Sequence, residues 1–295
     1  SECGVLSVCF DPNYITNKYV YIFYTASASE QRIVRLTDNN NVGTNLANIV
    51  TGLPTAGANH DGGATGISSD QNGQGWYLYW SIGDNGNGSG VDANMTSLAS
   101  KCGRARLDGS VPNDNPFFDG TGPNNDYIWA RGLRNPFSFS FQPGSEKLWI
   151  YNVGTSYETV FQVNRGDHAG WNNYENNQPA GYITPVIKYR TNGSDSLTVA
   201  ATNGAVRSSN VVTITTTATH GFRVGELITV SGVTDASFNG NFYVAATPTA
   251  TTFTYNQTGA NATSANGTAA TQNLGGCITG GCFYDSSGFS AAYSG

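Results

Sequence analysis

Two short stretches carry side chains able to do chemistry. The first is Gly57-Ala58-Asn59-His60-Asp61-Gly62-Gly63, an imidazole set in a glycine-rich loop. A neutral imidazole can act as a general base near neutral pH, and glycines allow another group to come close to the backbone. The second is Arg131-Gly132-Leu133-Arg134-Asn135-Pro136, two guanidiniums and an amide just ahead of an apolar run. Such groups suit recognition of anions and carbonyl oxygens. Each stretch has a plainer alternative: a histidine that only satisfies its neighbours, and a surface salt-bridge loop. A third stretch, Asp84-Asn85-Gly86-Asn87-Gly88-Ser89-Gly90, has the polarity of a calcium loop. Only Asp84 and Asp92 are charged there, and the fixed acidic offsets and closing Glu of an EF-hand are missing, so it reads as a long loop. Val111-Pro112-Asn113-Asp114-Asn115-Pro116-Phe117 reads as structural.

The elements that must position these groups are strands. Phe137-Ser138-Phe139-Ser140-Phe141 and Lys147-Leu148-Trp149-Ile150-Tyr151 alternate in strand fashion around the turn residues Gln142-Pro143-Gly144-Ser145. Pro136 fixes the entry from the arginine loop into the first of them. Residues 4–25 predict a hairpin, Val5–Phe10 returning through Asp11-Pro12-Asn13 to Tyr19–Tyr24. Further strands are expected near 32–37, 76–83 and 103–107, and no helical pattern exceeds two turns. The fold class is all-β.

The composition agrees. Among 295 residues, 12% are charged and 37 are glycine, which suits short strands joined by many turns. A net charge of −6 argues against a nucleic-acid partner, which would need a basic face. No apolar run reaches the roughly 18 residues a membrane-spanning helix needs. Ser1 opens directly on a strand-like pattern, which reads as a processed or truncated start. The five cysteines, Cys3, Cys9, Cys102, Cys277 and Cys282, include no Cys-x-x-Cys and fit no zinc site. Paired disulfides in an exported protein are the alternative expectation, with one thiol left over. Sequons at Asn87, Asn94, Asn192, Asn256, Asn261 and Asn266 would permit glycosylation in a eukaryotic secretory route. The expected location is extracellular, cell-surface or periplasmic.

Five blocks, in order, carry a family resemblance: GVLSVCFDPNYITNKYVYIFYT (4–25), NHDGGATGISSD…WYLYWSIGDNG (59–86), GRARLDGSVPNDNPF (103–117), IWARGLRNPFSFSF…LWIYNVG…ETVFQV…GW (128–171) and ITGGCFYDSSGFSAAYSG (278–295). Together they resemble the soluble sugar dehydrogenases that use pyrroloquinoline quinone (PQQ), and their relatives resembling Hedgehog-interacting protein. The resemblance implies a six-bladed β-propeller with His60 as catalytic base. It implies that Arg134 and Asn135 bind the quinone, and that the carbonyls of Val153 and Gly154 hold Ca²⁺. By the same resemblance, the anomeric hydroxyl of an aldose would lose its proton to His60 while hydride passes to the quinone. The chain departs from the family pattern at Asn152, where an acidic residue is usual, at Glu158-Thr159-Val160-Phe161, and at Ala64, which replaces a common Arg.

From about Leu197 the chain becomes Thr/Val-rich, alternating and nearly uncharged, and resembles small immunoglobulin-like sandwich modules of phage tails and bacterial surface proteins. The expected organisation is a first propeller part at 1–196, an inserted β-sandwich at 197–270 suited to adhesion or spacing, and a continued, truncated propeller at 271–295. Loops accept such insertions at modest entropic cost. Without the insert, roughly 220 residues remain, about five units at ~40–50 residues per blade. The propeller is thus expected to be incomplete in this chain, and other chains could complete or extend it along open strand edges. Two functions fit: a PQQ- and calcium-dependent aldose dehydrogenase, or a non-catalytic extracellular propeller that recognises glycans or proteins or builds a surface assembly. Fold alone does not choose between them.

Overall fold

A computed structural model of the chain describes residues 2–56, 59–69, 75–121, 125–145 and 147–283. Gly57 and Ala58 of the His60 loop, and 284–295 of the last family-like block, lie outside the described residues. The chain divides into two compact units, Ser1–Lys188 with Cys277–Gly295, and Tyr189–Gly276.

The first unit is built on three four-stranded antiparallel sheets, each with its strands in chain order. The first contains β1 (Val5–Phe10), β2 (Tyr19–Ser27), β3 (Glu30–Asn39) and β4 (Val42–Leu53). A one-turn helix, α1 (Tyr14–Asn17), lies between β1 and β2. The second contains β5 (Thr65–Ser69), β6 (Trp76–Ile82), β7 (Lys101–Arg106) and β8 (Ile128–Arg131). The third contains β9 (Pro136–Gln142), β10 (Lys147–Asn152), β11 (Tyr157–Val163) and β12 (Ile187–Arg190). The lead strands β1 and β5 lie against each other, and β9 lies against β5 and β6, which is the relation of successive propeller blades.

Strand alternation explains the packing. In β6, Leu78, Trp80 and Ile82 join Tyr21, Phe23 and Ile33 of the first sheet in one core, while Tyr77 and Tyr79 join Leu148, Ile150 and Phe161 of the third sheet in another. The middle sheet is therefore buried on both faces. The expectation of about five units is corrected to three blades among the described residues. The difference is loop length: 83–100 joins β6 to β7, 107–127 joins β7 to β8, and 164–186 joins β11 to β12.

The second unit is a sandwich. Its four-stranded sheet contains β13 (Ser196–Thr198), β16 (Leu227–Ser231), β17 (Gly240–Tyr243) and β21 (Thr268–Thr271). Its five-stranded sheet contains β14 (Ala205–Ser208), β15 (Val211–Thr215), β18 (Ala246–Thr249), β19 (Thr252–Asn256) and β20 (Ala262–Ser264). Every second residue of the central strands enters one core: Val212 and Ile214, Ile228 and Val230, Phe253 and Tyr255. The expected disulfides are not formed: none of the five cysteines is bonded to another in the structure. No helix among the described residues is long and apolar enough to cross a membrane.

Candidate active site

The site forms where β6 ends. Gly83 and Asp84 continue the strand into the loop, and two distant segments are stitched to them. The Asp84 N–H donates to the Arg134 carbonyl at 2.7 Å, and the Asn85 N–H to the His60 carbonyl at 3.3 Å. His60, Arg134 and Asn135 are thereby brought together from three parts of the sequence. His60 sits in the left-handed region with φ of 58°, an uncommon conformation outside glycine that the surrounding contacts must hold.

His60 Nδ1 lies 2.6 Å from Asp84 Oδ1. The imidazole is 19% exposed and the carboxylate 2%. Asp84 Oδ1 also accepts from the Gly86 N–H at 2.8 Å, and Oδ2 accepts from Trp171 Nε1 at 2.7 Å. Burial works to raise the Asp84 pKa, but the hydrogen bonds from His60, the Gly86 N–H and Trp171 overcome it and hold the carboxyl below its usual range. Asp84 is therefore ionised and acceptor-only, so Nδ1 of the neutral imidazole carries the hydrogen. Nε2 keeps its lone pair and has no partner among the described residues. This is the tautomer a general base needs.

The same shift makes a stability prediction. A depressed carboxylate pKa contributes stability that is full above the unfolded value of about 4 and is lost as pH falls through the folded value. The melting-temperature gap between wild type and Asp84→Asn should be wide at neutral pH and narrow in acid. Scanning calorimetry at both pH values measures it, and a gap independent of pH would contradict the assignment.

Arg134 Nη1 donates to the Val153 carbonyl at 3.2 Å, and its guanidinium carbon lies 5.6 Å from the Trp171 ring centroid. Asn135 is 1% exposed and fully engaged. Its N–H donates to Asn152 Oδ1 at 3.1 Å, its Oδ1 accepts from the Gly62 N–H at 3.1 Å, and its Nδ2 donates to Glu2 Oε1 at 3.1 Å. The neutral Asn152 has its own work: Nδ2 donates to Thr159 Oγ1 at 3.1 Å. An amide can accept from the arginine loop and donate to β11, which a carboxylate cannot. The Val153 N–H returns to the Asn135 carbonyl at 2.9 Å, so the Val153-Gly154 turn is tied to the arginine loop. The Gly154 N–H is 3.4 Å from the buried Glu158 carboxylate.

Among the described residues no three His, Cys, Asp or Glu side chains gather as metal ligands. The Val153 and Gly154 carbonyls are neutral donors, one of which already accepts from Arg134, and the carboxylates at this turn, Glu158 and Glu175, are engaged by its N–H groups. The glycine-rich character of the His60 loop also has a different cause from the one expected. A Cβ on Gly62 would come within 2.6 Å of the Ser81 carbonyl oxygen, so it is the chain's own β6 backbone that approaches there. Asp84, Trp171 and Glu2 are the site residues that sequence reasoning missed. An aspartate directly after a buried strand was the available signal for Asp84. The other two histidines lie elsewhere: His168 Nε2 pairs with Asp92 Oδ2 at 3.0 Å, and His220 Nδ1 accepts from the Phe222 N–H at 2.9 Å.

The family model for glucose/sorbosone dehydrogenases matches residues 1–250. The chain is 26% identical over 238 residues to quinoprotein glucose dehydrogenase B of Acinetobacter calcoaceticus, covering 70% of this chain and 48% of that protein. It is 26% identical over 176 residues to an aldose sugar dehydrogenase of Escherichia coli, covering 57% and 46%. The chain thus spans about half the length of the curated relatives it matches. In fold it is similar to the PQQ-bound aldose sugar dehydrogenase from Streptomyces coelicolor, with a TM-score of 0.56 at 22% identity over 85% of this chain and 65% of that one.

Proposed function

The chain belongs to the glucose/sorbosone dehydrogenase family, and from that premise we propose that its His60 site serves a PQQ-dependent oxidation of aldose sugars. The observation that supports this most is the His60–Asp84 pair: an ionised, buried carboxylate that sets the histidine tautomer and leaves Nε2 open. In this reading the anomeric O–H gives its proton to Nε2 as the C1–H leaves as hydride, and a lactone results. Asp84 stabilises the imidazolium that forms. PQQ, when bound, supplies the hydride acceptor.

The residues present fit the quinone. Arg134 offers a guanidinium with a carbonyl and a ring as its neighbours. Asn135 Nδ2 faces both oxygens of the Glu2 carboxylate, at 3.1 and 3.3 Å, so it would reach the quinone in exchange for Glu2. Arg134 and Asn135 would hold the anionic and carbonyl oxygens and orient the ring towards His60. For calcium, Val153 and Gly154 supply hard oxygen donors of the right type. Two neutral carbonyls are a weak site alone, because calcium affinity is tuned by the number of charged ligands. Uptake of the ion is therefore expected to depend on the quinone. Calorimetric titration of the chain with Ca²⁺ should show no saturable binding at low millimolar metal, and saturable binding once PQQ is present. Saturation without PQQ would contradict a site made of the two carbonyls and point to the Glu158 or Glu175 carboxylate as a further ligand.

The test of the whole reading is PQQ titration of the purified protein, followed by dye reduction with a panel of aldoses. Saturable binding with turnover establishes the dehydrogenase. Absence of binding at micromolar PQQ would favour an extracellular recognition propeller, with glycans and surface proteins as the ligands to try.

A further inference from the structure

The segment 168–171, which carries Trp171 to the site, touches both halves of it. It runs alongside the arginine loop: residues 131 and 168 form a parallel bridge, the Ala169 N–H donates to the Arg131 carbonyl at 2.9 Å, and the Trp171 N–H to the Gly132 carbonyl at 3.0 Å. Its start is fixed by His168, whose Nδ1 accepts from the Gly170 N–H at 3.0 Å while Nε2 meets Asp92 Oδ2 at 3.0 Å. That pattern requires a neutral imidazole with its hydrogen on Nε2. Burial, then the nearby Arg131 charge, depresses the His168 pKa and favours that form.

At the end of this clamped segment Trp171 does two things. Its indole N–H donates to Asp84 Oδ2, the oxygen that His60 does not use, at 2.7 Å. Its ring lies 5.6 Å from the Arg134 guanidinium carbon, within cation–π range. We propose that Trp171 is a positioning residue of this site, whose indole locks Asp84, and through it the His60 tautomer, while its ring carries Arg134. The proposal rests on the assignment of His60 as base and Arg134 as quinone ligand. A carboxylate held at both oxygens cannot rotate away from the imidazole. Without the indole, Oδ2 is left buried without that donor, and of the two protein N–H groups that fixed Asp84 against rotation only that of Gly86, on Oδ1, remains.

Two substitutions separate the two contacts. Trp171→Phe keeps an aromatic face under Arg134 and removes the N–H. Trp171→Leu removes both. The first readout is ¹⁵N NMR of the His60 imidazole in protein without cofactor. Wild type is expected to show one tautomer, with hydrogen on Nδ1. Both variants should show a mixture with the Nε2–H form. The second readout is PQQ affinity, expected to be retained in Trp171→Phe and to fall roughly two- to fivefold in Trp171→Leu. The third is aldose turnover, expected to drop roughly 10- to 100-fold in Trp171→Phe with KM little changed. An unchanged His60 tautomer in Trp171→Phe overturns the proposal, whatever the activity. If the tautomer shifts as expected but wild type oxidises no aldose, the positioning role stands and the dehydrogenase reading fails.

Discussion

Replacing His60 by alanine is expected to lower aldose turnover by roughly 10²- to 10⁴-fold, the range that a positioned general base contributes. The large value follows from the geometry. Asp84 is ionised and 2% exposed, and the imidazole is its link to the substrate side of the site. Removing the ring leaves a buried carboxylate facing a void, and no other histidine is placed to take over, since His168 and His220 are bonded elsewhere. The loss should fall on the chemical step. PQQ affinity should be nearly unchanged, because Arg134 and Asn135 are held by Val153, Trp171, Asn152 and Gly62 rather than by the imidazole. Asp84→Asn should approach the same loss by a different route. An amide can donate to Nδ1, which would move the hydrogen to Nε2 and leave no lone pair where the substrate proton must go. Single-turnover reduction of bound quinone, followed by its absorbance, measures the step directly. Turnover within a few-fold of wild type in His60→Ala would remove the histidine from the reaction.

What was legible beforehand was local. The alternation in Phe137–Phe141 and Lys147–Tyr151 placed β9 and β10, because a period of two survives in any half-buried strand and the Pro143-Gly144 turn lies between them. The hairpin of β1 and β2 was legible for the same reason. The relations across loops were not. Asp84 and His60 are 24 positions apart, and Asp84 and Trp171 are 87 apart. Nothing in an Asn/Gly-rich loop says that its first aspartate faces inward. Among the described residues there are fewer blades than chain length suggests, because loops such as 83–100 carry the site and add residues without adding strands. The site residues taken from family-like blocks do converge in space, but the groups that set their protonation came only from the fold.

The fold and the site meet most closely at Gly83, where a single methyl group is expected to disturb both. Gly83 is buried at the end of β6, and its carbonyl accepts from the Ser100 N–H at 2.7 Å. A Cβ built there would overlap the His60 carbonyl oxygen and lie 2.8 Å from that of Arg134. Both obstacles are backbone atoms held by hydrogen bonds to Asn85 and Asp84, so neither can move aside as a side-chain tip could. Overpacking of this kind costs about 1–3 kcal/mol, and more where the neighbours are rigid. Gly83→Ala is expected at or above the top of that range. Gly86→Ala is the natural comparison: its φ of 74° imposes backbone strain, but nothing lies within 4 Å of the added carbon. That strain is worth about 1–2 kcal/mol. Urea unfolding should show the lower midpoint for Gly83→Ala at an unchanged slope, which identifies a loss of native stability. The same variant forces the His60 and Arg134 segments apart, so PQQ affinity and turnover should fall together, unlike the His60→Ala pattern. If Gly83→Ala unfolds no more readily than Gly86→Ala, the base and the cation are not held across this glycine, and the convergence on which the catalytic reading depends is lost.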